Sequence, residues 1–423
     1  MTSNEEISQR WKGWDRMQKI VMVILLVSIL AACATSNVEN EEDERDHVEG
    51  EVNTLVHANN QLAFDLLAEI SNDTADNVFL SPASLYIALS LVYNGADGET
   101  KSEMDELLGF KEVNQLNQSN QSFYQQLVNE KSGITLQIAN SIWLNDEFQF
   151  QRDFQDSMNE FYEAEISEVD IADPSTTDLI NNWVKENTEG RIEEIVEGPL
   201  DPEIVTFLIN AIYLDAAWQH AFDSNSTHTS EFHLLDNSTK EVEMMMQVEQ
   251  FDYLEQSDFQ GIVLPYGDGQ MSMQIFLPKE GIDDFDEKFT LEKWESWQHD
   301  FQKEDVQVML PAFEVEFEAT LNEALEDLGM TTAFNEHANF SKLVKETDEV
   351  YISEIKQKTF LLVDEEGTEA AGATSVEMST TSMPGNGPSV MEINRPFFLV
   401  IIDEQTDAIL FTGKITEPPA RSK

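Results

Sequence analysis

Near its C-terminal end the chain has a stretch whose composition predicts a loop and whose residue pattern predicts a strand. Residues 364–381 are mostly small and polar, and they are followed by the Pro-Gly segment 384–388, so their composition is that of a surface loop. Their alternation from residue 368 onward is that of a strand, because one row of alternate residues is uncharged and the other holds two glutamates. We therefore expect a loop with two states, one exposed and one added to a sheet.

The two rows are defined by their members. The uncharged row is small or apolar and consists of Thr368, Ala370, Gly372, Thr374, Val376 and Met378. The other row consists of Glu369, Ala371, Ala373, Ser375, Glu377 and Ser379. A strand with this pattern has one face for a core and one for water.

The rest of the chain has the material for a large core. It has 423 residues, of which 41% are hydrophobic, and this excludes a chain that is disordered throughout. The globular pattern runs from residue 55 to about residue 416 without a Pro/Gly-rich linker or an internal repeat. These features predict one large domain.

Helical patterns are frequent in the first half of the chain and strand patterns in the second. Helices are predicted at residues 56–70, 85–93, 100–108, 153–162, 178–188 and 321–328, with Ser81 or Ser84 capping the second. Strands are predicted at residues 77–82 (a short strand broken by Pro82), 134–144, 205–214, 241–247, 251–255, 261–265, 271–278, 306–317, 350–363, 397–402 and 408–415. The fold class is therefore α+β with large sheets. Residues 205–214 are nearly all apolar, which predicts a strand buried on both faces, and Asn210 within it needs hydrogen-bond partners there.

The N-terminal residues have the pattern of a secretion signal. Residues 20–32 are a thirteen-residue apolar run behind three basic residues, too short for a membrane span. The run ends at Cys33 in a sequence that resembles the lipobox of bacterial lipoproteins, so Cys33 is the predicted lipidation site. The alternative is a lone cysteine that serves as a small buried hydrophobe. Residues 1–33 are thus the extension and signal peptide, with Met17 an alternative start, and residues 34–54 an acidic tether. An extracytoplasmic protein, lipid-anchored or secreted, is expected.

The charge balance excludes several partners. The chain has 24 Lys and Arg against 82 Asp and Glu, a formal net charge of −58. Such a chain repels nucleic acid and heparin-like polyanions, and it would meet a membrane through its lipid anchor alone. Because the acidic residues are spread over the whole length, we interpret the composition as an adaptation to high salt.

A search for catalytic motifs predicts that the protein is not an enzyme. The sequence has no nucleophile elbow, phosphate-binding loop, dinucleotide fingerprint or zinc-protease motif. Its seven histidines lack metal-ligand spacing, and Cys33 is the single cysteine. We expect no metal and no cofactor.

Several motifs resemble the serpin family in order and spacing. The stretch from Glu365 to Thr374 resembles the hinge of the serpin reactive loop, whose residues would be Glu365, Glu366, Gly367, Thr368, Glu369, Ala370, Ala371, Gly372, Ala373 and Thr374. Residues 77–84, residues 207–213 with Trp218, and residues 394–397 resemble further family segments. The resemblance covers residues 55–418 and leaves 419–423 as a tail. It implies three β-sheets, about nine helices, and an exposed reactive loop at about 364–390 in a single domain.

The resemblance also implies a function, the suicide inhibition of serine or cysteine proteases by a monomer. Counting along the loop as in the family places the reactive bond between Thr381 and Ser382, with Met378, Thr380 and Met383 as alternatives. Threonine or methionine suits proteases with small or apolar pockets, of the subtilisin, elastase or chymotrypsin type. A trypsin-like enzyme is not expected, because the sequence has no Lys or Arg between Lys358 and Arg395.

The family's shutter and breach, the regions beneath and at the end of the opening sheet, would comprise Ser81, Ser84, Asn210, Trp218, Gln357 and Lys358. Serpins usually have a His-Lys pair where this chain has Gln357 and Lys358. Gln357 can donate and accept hydrogen bonds but cannot titrate, so it either bonds within this cluster or merely fills space.

A non-inhibitory serpin that acts as a cell-surface binding or chaperone-like protein is the alternative. Such serpins tend to carry charged or bulky groups, or proline, in the inward row of the hinge. The small uncharged residues Thr368, Ala370 and Gly372 favour an inhibitor.

Overall fold

The computed structural model describes residue 50 and residues 52–72, 74–128, 131–162, 164–345, 350–368 and 387–421. Helix α1 covers residues 52–72. The other helices of these ranges are α2 (Pro82–Tyr93), α3 (Gly98–Leu108), α4 (Val113–Val128), α5 (Arg152–Phe161), α6 (Ser175–Asn187), α7 (Ile282–Asp286), α8 (Leu291–Gln298) and α9 (Asn322–Asp327). Among the residues described, no helix is long and apolar enough to cross a membrane.

One sheet of six strands, here called the central sheet, contains the strand that leads into the loop. Its spatial order is β10 (Phe313–Thr320), β11 (Glu354–Val363), β4 (Thr206–Ala217), β2 (Ile134–Asn145) and β3 (Glu165–Val169), with β12 (Gly367–Thr368) also paired to β4. Strands β4 and β11 run parallel, whereas β10, β2 and β12 are antiparallel to their neighbours β11 and β4. Ten of the twelve residues of β4 are buried, as its apolar sequence predicts.

The second sheet has nine strands, here called the large sheet. Its order is β1 (Val78–Leu80), β15 (Ala408–Ile415), β14 (Phe397–Asp403), β8 (Met271–Pro278), β7 (Phe259–Tyr266), β6 (Thr239–Glu255), β9 (Gln302–Pro311) and β13 (Ser389–Glu392), with β5 (His228–His233) on β6. The first part of β6 pairs with β5 and its last residues pair with β7. The large sheet thus consists of two parts that share β6, which accounts for two hydrogen-bonded networks where three sheets are expected.

Helix α2 packs against β15 of the large sheet and against β2 and β4 of the central sheet. All twelve of its residues are buried, which accounts for a sequence that is apolar on every face except for Ser84 and Ser90. Ser81 is its N-cap and accepts a hydrogen bond from the backbone N–H of Ser84 at 3.3 Å, and Pro82 occupies the first helical turn. Of the two predicted caps, Ser81 is therefore the one used.

The other face of the central sheet is covered by α6 and by the segment 188–205 that follows it. Apolar residues of this segment and of α6 pack on β4 and β11; they are Ile180, Val184, Ile192, Ile195, Val196, Leu200 and Ile204. The residues of β4 in this cluster are Phe207, Ile209, Ala211 and Tyr213. Because side chains alternate along a strand, the even-numbered residues of β4 face α2.

Four predicted strands have clearly different bounds in the structure. Residues 241–247 and 251–255 belong to one strand, β6, because pairing with β9 continues across the polar residues between them. Residues 306–317 are divided between β9 and β10, because Pro311 has no N–H and the chain changes sheets there. Strand β11 begins at Glu354 rather than at residue 350, since Ile352 donates its N–H group away from the sheet, to the carbonyl of Ala333, and Ser353 is the first residue that bonds β4, through the carbonyl of Thr206.

Helix α4 is absent from the sequence predictions. Its buried face includes Asn117, Ser119 and Asn120 beside three apolar residues, so hydrophobic periodicity gives a weak signal. The Nδ2 of Asn117 donates to Asn94 Oδ1 at 2.8 Å, and the hydroxyl of Tyr162 donates to Asn117 Oδ1 at 2.7 Å. Polar contacts between helices thus replace part of the apolar seam.

Candidate functional site at the loop hinge

The chain reverses direction immediately after β11, in a turn at residues 364–367. The N–H of Asp364 donates to the carbonyl of Gly367 at 2.9 Å. Asp364 Oδ1 accepts from the N–H groups of Glu366 at 2.8 Å and Gly367 at 3.1 Å. Burial raises the pKa of Asp364 although both N–H groups favour its charged form. The turn brings its last residue, Gly367, and the following Thr368 beside the end of β4.

These two residues, Gly367 and Thr368, form β12. They pair antiparallel with Ala217 and Ala216 at the end of β4. A Cβ atom on Gly367 would lie 2.2 Å from the carbonyl oxygen of Ala216, so glycine is needed for this close approach. Thr368 has 0% exposed surface, and its Oγ1 lies 2.7 Å from the hydroxyl of Tyr266. The first residue of the uncharged row is therefore inside the protein before any cleavage.

Trp218, at the end of β4, holds the turn from the other side. Its backbone N–H donates to the carbonyl of Glu366, and its indole Nε1–H to the carbonyl of Asp364, both at 2.9 Å. Its ring stacks on Tyr266 with 4.4 Å between ring centroids and 9° between planes. Burial raises the pKa of Tyr266, which keeps its hydroxyl neutral. The predicted breach residue Trp218 thus contacts the hinge directly.

Glu365 is fixed by two elements distant in sequence. Its carboxylate accepts from Thr227 Oγ1 at 2.7 Å and from Arg421 at 2.8 Å. Burial opposes its charge, but the bonds from Thr227 and Arg421 outweigh burial and lower the pKa of Glu365. Its carbonyl accepts from the N–H of Phe222 at 2.8 Å. Neither Thr227 nor Arg421 belongs to a recognisable sequence motif, so neither was predictable from sequence alone.

A fully hydrogen-bonded polar cluster lies beneath the β4–β11 pair. Gln357 and Asn210 are directly opposite in the register of β11 and β4, and Gln357 Nε2 donates to Asn210 Oδ1 at 2.7 Å. The Nε2 and Oε1 of Gln357 also bond the carbonyl and N–H of Ser81 at 2.8 and 3.0 Å. Asn210 Nδ2 donates to Ser84 and to Asn140. Gln357 is therefore bonded within the cluster, the first of its two alternatives, and Asn140 is a member that sequence reasoning missed.

Lys358 lies on the other side of the central sheet, away from this cluster. Its Nζ bonds Glu316 at 2.7 Å and Glu318 at 3.3 Å on β10, and it donates to the carbonyl of Glu194 at 2.7 Å. The prediction grouped Lys358 with Gln357, and the structure corrects this, because neighbouring residues of a strand point to opposite faces. Lys358 instead connects β11 to the segment 188–205.

Several predicted site residues lie outside the described residues. They are the remaining hinge residues Glu369, Ala370, Ala371, Gly372, Ala373 and Thr374, the reactive-bond candidates Met378, Thr380, Thr381, Ser382 and Met383, and the lipidation site Cys33. Their predicted roles stay predictions.

The fold thus defines a class of mixed-sheet protein in which the loop after β11 begins as a short strand on β4, beyond the last β4–β11 pair. Residues 57–418 match the family model described as Serpin (serine protease inhibitor). The chain belongs to the serpin family, whose members are generally protease inhibitors rather than enzymes.

Known relatives include serpin-like proteins and a thyroxine-binding protein. An uncharacterised serpin-like protein of Thermococcus kodakarensis is 34% identical over 88% of this chain and 87% of its own length. The native structure of tengpin, a thermophilic serpin, is 35% identical with a TM-score of 0.79 and covers 86% of this chain and 94% of tengpin. Human thyroxine-binding globulin, solved as a complex with thyroxine, is 27% identical with a TM-score of 0.81 and covers 87% of this chain and 100% of the globulin. The family therefore fixes the fold, and its members differ in function.

Proposed function

We propose that this protein is an inhibitory serpin, which traps a serine protease as its acyl-enzyme by inserting the cut loop into the central sheet. The observation that carries the proposal is β12. Thr368, the first residue of the uncharged row, is fully buried, and it pairs with β4 in the antiparallel direction that an inserted loop would follow. The sequence beyond it continues the same uncharged alternation.

The reaction begins as ordinary proteolysis. The serine oxygen of the protease attacks the carbonyl carbon of Thr381, and the serine proton passes through the protease's own base to the leaving amine of Ser382. The C–N bond breaks, and Thr381 is held as an ester on the protease. Water would complete hydrolysis, so inhibition requires that the loop insert before water attacks.

Insertion exchanges one strand pairing for two. The parallel pairing between β4 and β11, which joins Phe207–Tyr213 to Glu354–Phe360, must separate. The loop then pairs antiparallel with both strands, and antiparallel pairing is slightly more stable per residue than parallel pairing. The fourteen residues from Thr368 to Thr381 span about 46 Å as a strand, which would carry the acylated protease along the whole sheet. The uncleaved protein is then a kinetically held state.

The two rows of the loop suit the two faces of the sheet. Residues of the uncharged row would follow Thr368 on the side of α2, where β4 is fully buried. The row with Glu369 and Glu377 would face α6 and the segment 188–205, and in the register of β12 Glu377 would lie opposite the buried Phe207, so this cover must move aside for Glu377 to reach water. Small uncharged side chains on the inner side avoid the cost of burying an unpaired charge.

The target follows from the residues at the reactive bond. Threonine at 381, or methionine at 378 or 383, would enter a small or apolar specificity pocket, as in proteases of the subtilisin, elastase or chymotrypsin type. Thr380 is a further candidate with the same preference.

The remaining predictions concern the place of action. We propose that residues 1–33 direct export and that Cys33 carries a lipid. Residues 34–54 form a tether, and the domain of residues 55–418 acts as a monomer outside the cytoplasm. The formal charge of −58 suits a saline environment. Membrane extraction with and without a Cys33→Ser substitution tests the anchor, because the substituted protein should no longer partition with detergent.

One experiment tests the inhibitor. The protein is mixed in high salt with subtilisin-, elastase-, chymotrypsin- and trypsin-type proteases, and products are examined by denaturing gel and by mass spectrometry. We expect a complex that resists SDS with one of the first three, and cleavage after Thr381 or one of its neighbours. The cleaved protein should melt at a higher temperature than the uncleaved one.

A different result would assign another function. Cleavage that yields fragments alone, without complex or gain in thermal stability, would contradict inhibition and favour a binding or chaperone-like serpin.

A further inference from the structure

Arg421, near the end of the chain, joins the hinge to a strand of the large sheet. One guanidinium nitrogen donates to Glu365 at 2.8 Å, and the other donates to Glu243 on β6, also at 2.8 Å. The tail that carries Arg421 runs beside β10, because the N–H of Glu314 bonds the carbonyl of Pro419 at 3.4 Å. One side chain thus connects the tail, the turn and β6.

We propose that Arg421 is a positioning residue for loop insertion, which holds the turn at residues 364–367 so that Gly367 and Thr368 stay paired with β4. The proposal rests on the inhibitory function proposed above. Neither the family match nor the motifs of the reactive loop involve this residue of the tail.

The ion pair with Glu365 is of the kind that persists in salt. The exposed fraction is 27% for the Arg421 side chain and 14% for Glu365, against 66% for Glu243. Partly buried pairs are screened less than exposed ones, and hydrogen bonds between charged groups are stronger than neutral ones. In contrast, Arg152 and Asp156 form an exposed pair at 3.8 Å, with 88% and 69% of their side chains exposed. Of the two ion pairs of Arg421, the one with Glu365 is therefore expected to contribute most to holding the turn.

Loss of the bridge would free the turn at its most constrained residue. Glu365 would keep the bond to Thr227, but the carboxylate would lose its cation while remaining largely buried. The hydrogen bonds from the N–H of Phe222 to the carbonyl of Glu365, and from the N–H of Trp218 to the carbonyl of Glu366, would then break more often. Each time these bonds break, β12 is released from β4. Insertion must then first restore the pairing of Gly367 with Ala217 and of Thr368 with Ala216. Since insertion competes with hydrolysis of the ester, more inhibitor would be consumed as substrate.

The test compares Arg421→Ala with Arg152→Ala, which removes the same charge from an exposed pair. Two quantities are measured on the full chain: the moles of inhibitor consumed per mole of protease inactivated, and the hydrogen exchange of the amides of Trp218 and Phe222. For Arg421→Ala we expect both the inhibitor consumed and the exchange rates to rise about fivefold, whereas the rate of first association with the protease stays unchanged. Arg152→Ala should match the wild type, and Arg421→Lys should recover part of the effect.

The outcomes separate this inference from the proposed function. If the wild type forms no complex with any protease, the inhibitory function fails, and the exchange of the two amides still decides whether Arg421 holds the turn. Unchanged exchange and unchanged consumption in Arg421→Ala would overturn the inference, and so would an equal effect in Arg152→Ala. If Arg421→Ala does not fold, Glu365→Gln, which weakens the same bridge, replaces it with the same expectations.

Discussion

Gln357 shows how one side chain can connect three elements. Its amide bonds the backbone of Ser81, which caps α2, and the side chain of Asn210 on β4, while Gln357 itself belongs to β11. An amide has both a donor and an acceptor and stays neutral at every pH, so these bonds are independent of protonation at residue 357.

Replacing Gln357 by leucine should lower the free energy of unfolding by about 3 kcal/mol, because the polar groups of Ser81 and Asn210 would remain buried without these partners. Urea unfolding at constant high salt measures the change. Gln307→Leu is the matched control, because Gln307 on β9 is partly exposed and its amide contacts methionine sulfurs. A loss no larger than that of the control would contradict the assigned role of Gln357.

Thr368 decides whether the loop can begin to enter the sheet. Thr368→Arg would place a charge at a site with 0% exposed surface, at a cost of several kcal/mol. We expect cleavage by the target protease to continue and the SDS-resistant complex to disappear. Thr368→Ser retains the hydroxyl beside Tyr266 and should still inhibit. A stable complex formed by the arginine variant would show that insertion does not require an uncharged residue at position 368.

At the scale of elements, β11 is held to the segment 188–205 as well as to β4. The Nζ of Lys358 donates to the carbonyl of Glu194, and Asn181 of α6 binds Val196 of the same segment at 2.9 Å. Insertion of a strand moves β11 and β4 apart by about 4.8 Å, the spacing of neighbouring strands. The segment is joined to β4, so its bond to Lys358 would break.

Lys358→Met should therefore speed the conversion of uncleaved protein to a loop-inserted form about tenfold on warming. The reason is that the variant lacks the hydrogen bond from Lys358 to the carbonyl of Glu194, which stabilises the sheet before insertion. The fraction of protein that resists urea after warming measures conversion. Lys356→Met is the control, because Lys356 lies on the same strand and pairs with Glu354. Equal conversion of the two variants would contradict the expectation.

The charge of Lys358 also predicts a pH limit. Burial lowers its pKa, but the bonds with Glu316 and then Glu318 outweigh burial and raise it above 10.5. Its contribution to stability is therefore complete below pH 10.5 and is lost as the pH rises through the folded-state pKa.

Elements marked by continuous apolar runs and local capping signals were predictable, and those that depend on tertiary contacts were not. The apolar run of β4 and the capped α2 follow from sequence alone. Helix α4 does not, because its buried face bonds to Asn94 and Tyr162 through polar side chains. Likewise, Gly367 and Thr368 were predictable as hinge residues, whereas Arg421 requires the fold that brings residues 365, 243 and 421 together.

At the scale of the whole molecule, the dominant quantity is charge. A formal charge of −58 on 423 residues favours expansion at low ionic strength. Most of the ion pairs that the structure describes place the acidic partner at the surface, as for Lys288 with Asp258 and Lys303 with Asp252, and such pairs contribute little each.

The melting temperature should therefore rise steeply with KCl, because the Debye length falls from about 10 Å at 0.1 M salt to about 3 Å at 1 M. Differential scanning calorimetry measures this directly. Sucrose is the control, since it stabilises by exclusion from the surface without screening charge. A melting temperature that is flat in KCl, or one that rises equally with sucrose, would contradict adaptation to salt.

The two-residue strand β12 also fixes which residues meet as the loop enters. Continuing the register of Gly367 with Ala217 and Thr368 with Ala216, Glu369 would lie opposite Asp215, and Thr374 opposite Asn210. Burial, and next Glu189, already raise the pKa of Asp215, and like charges directly opposite each other destabilise a strand pair. Repulsion in this first new pair therefore opposes insertion, and added salt would weaken that repulsion by screening it.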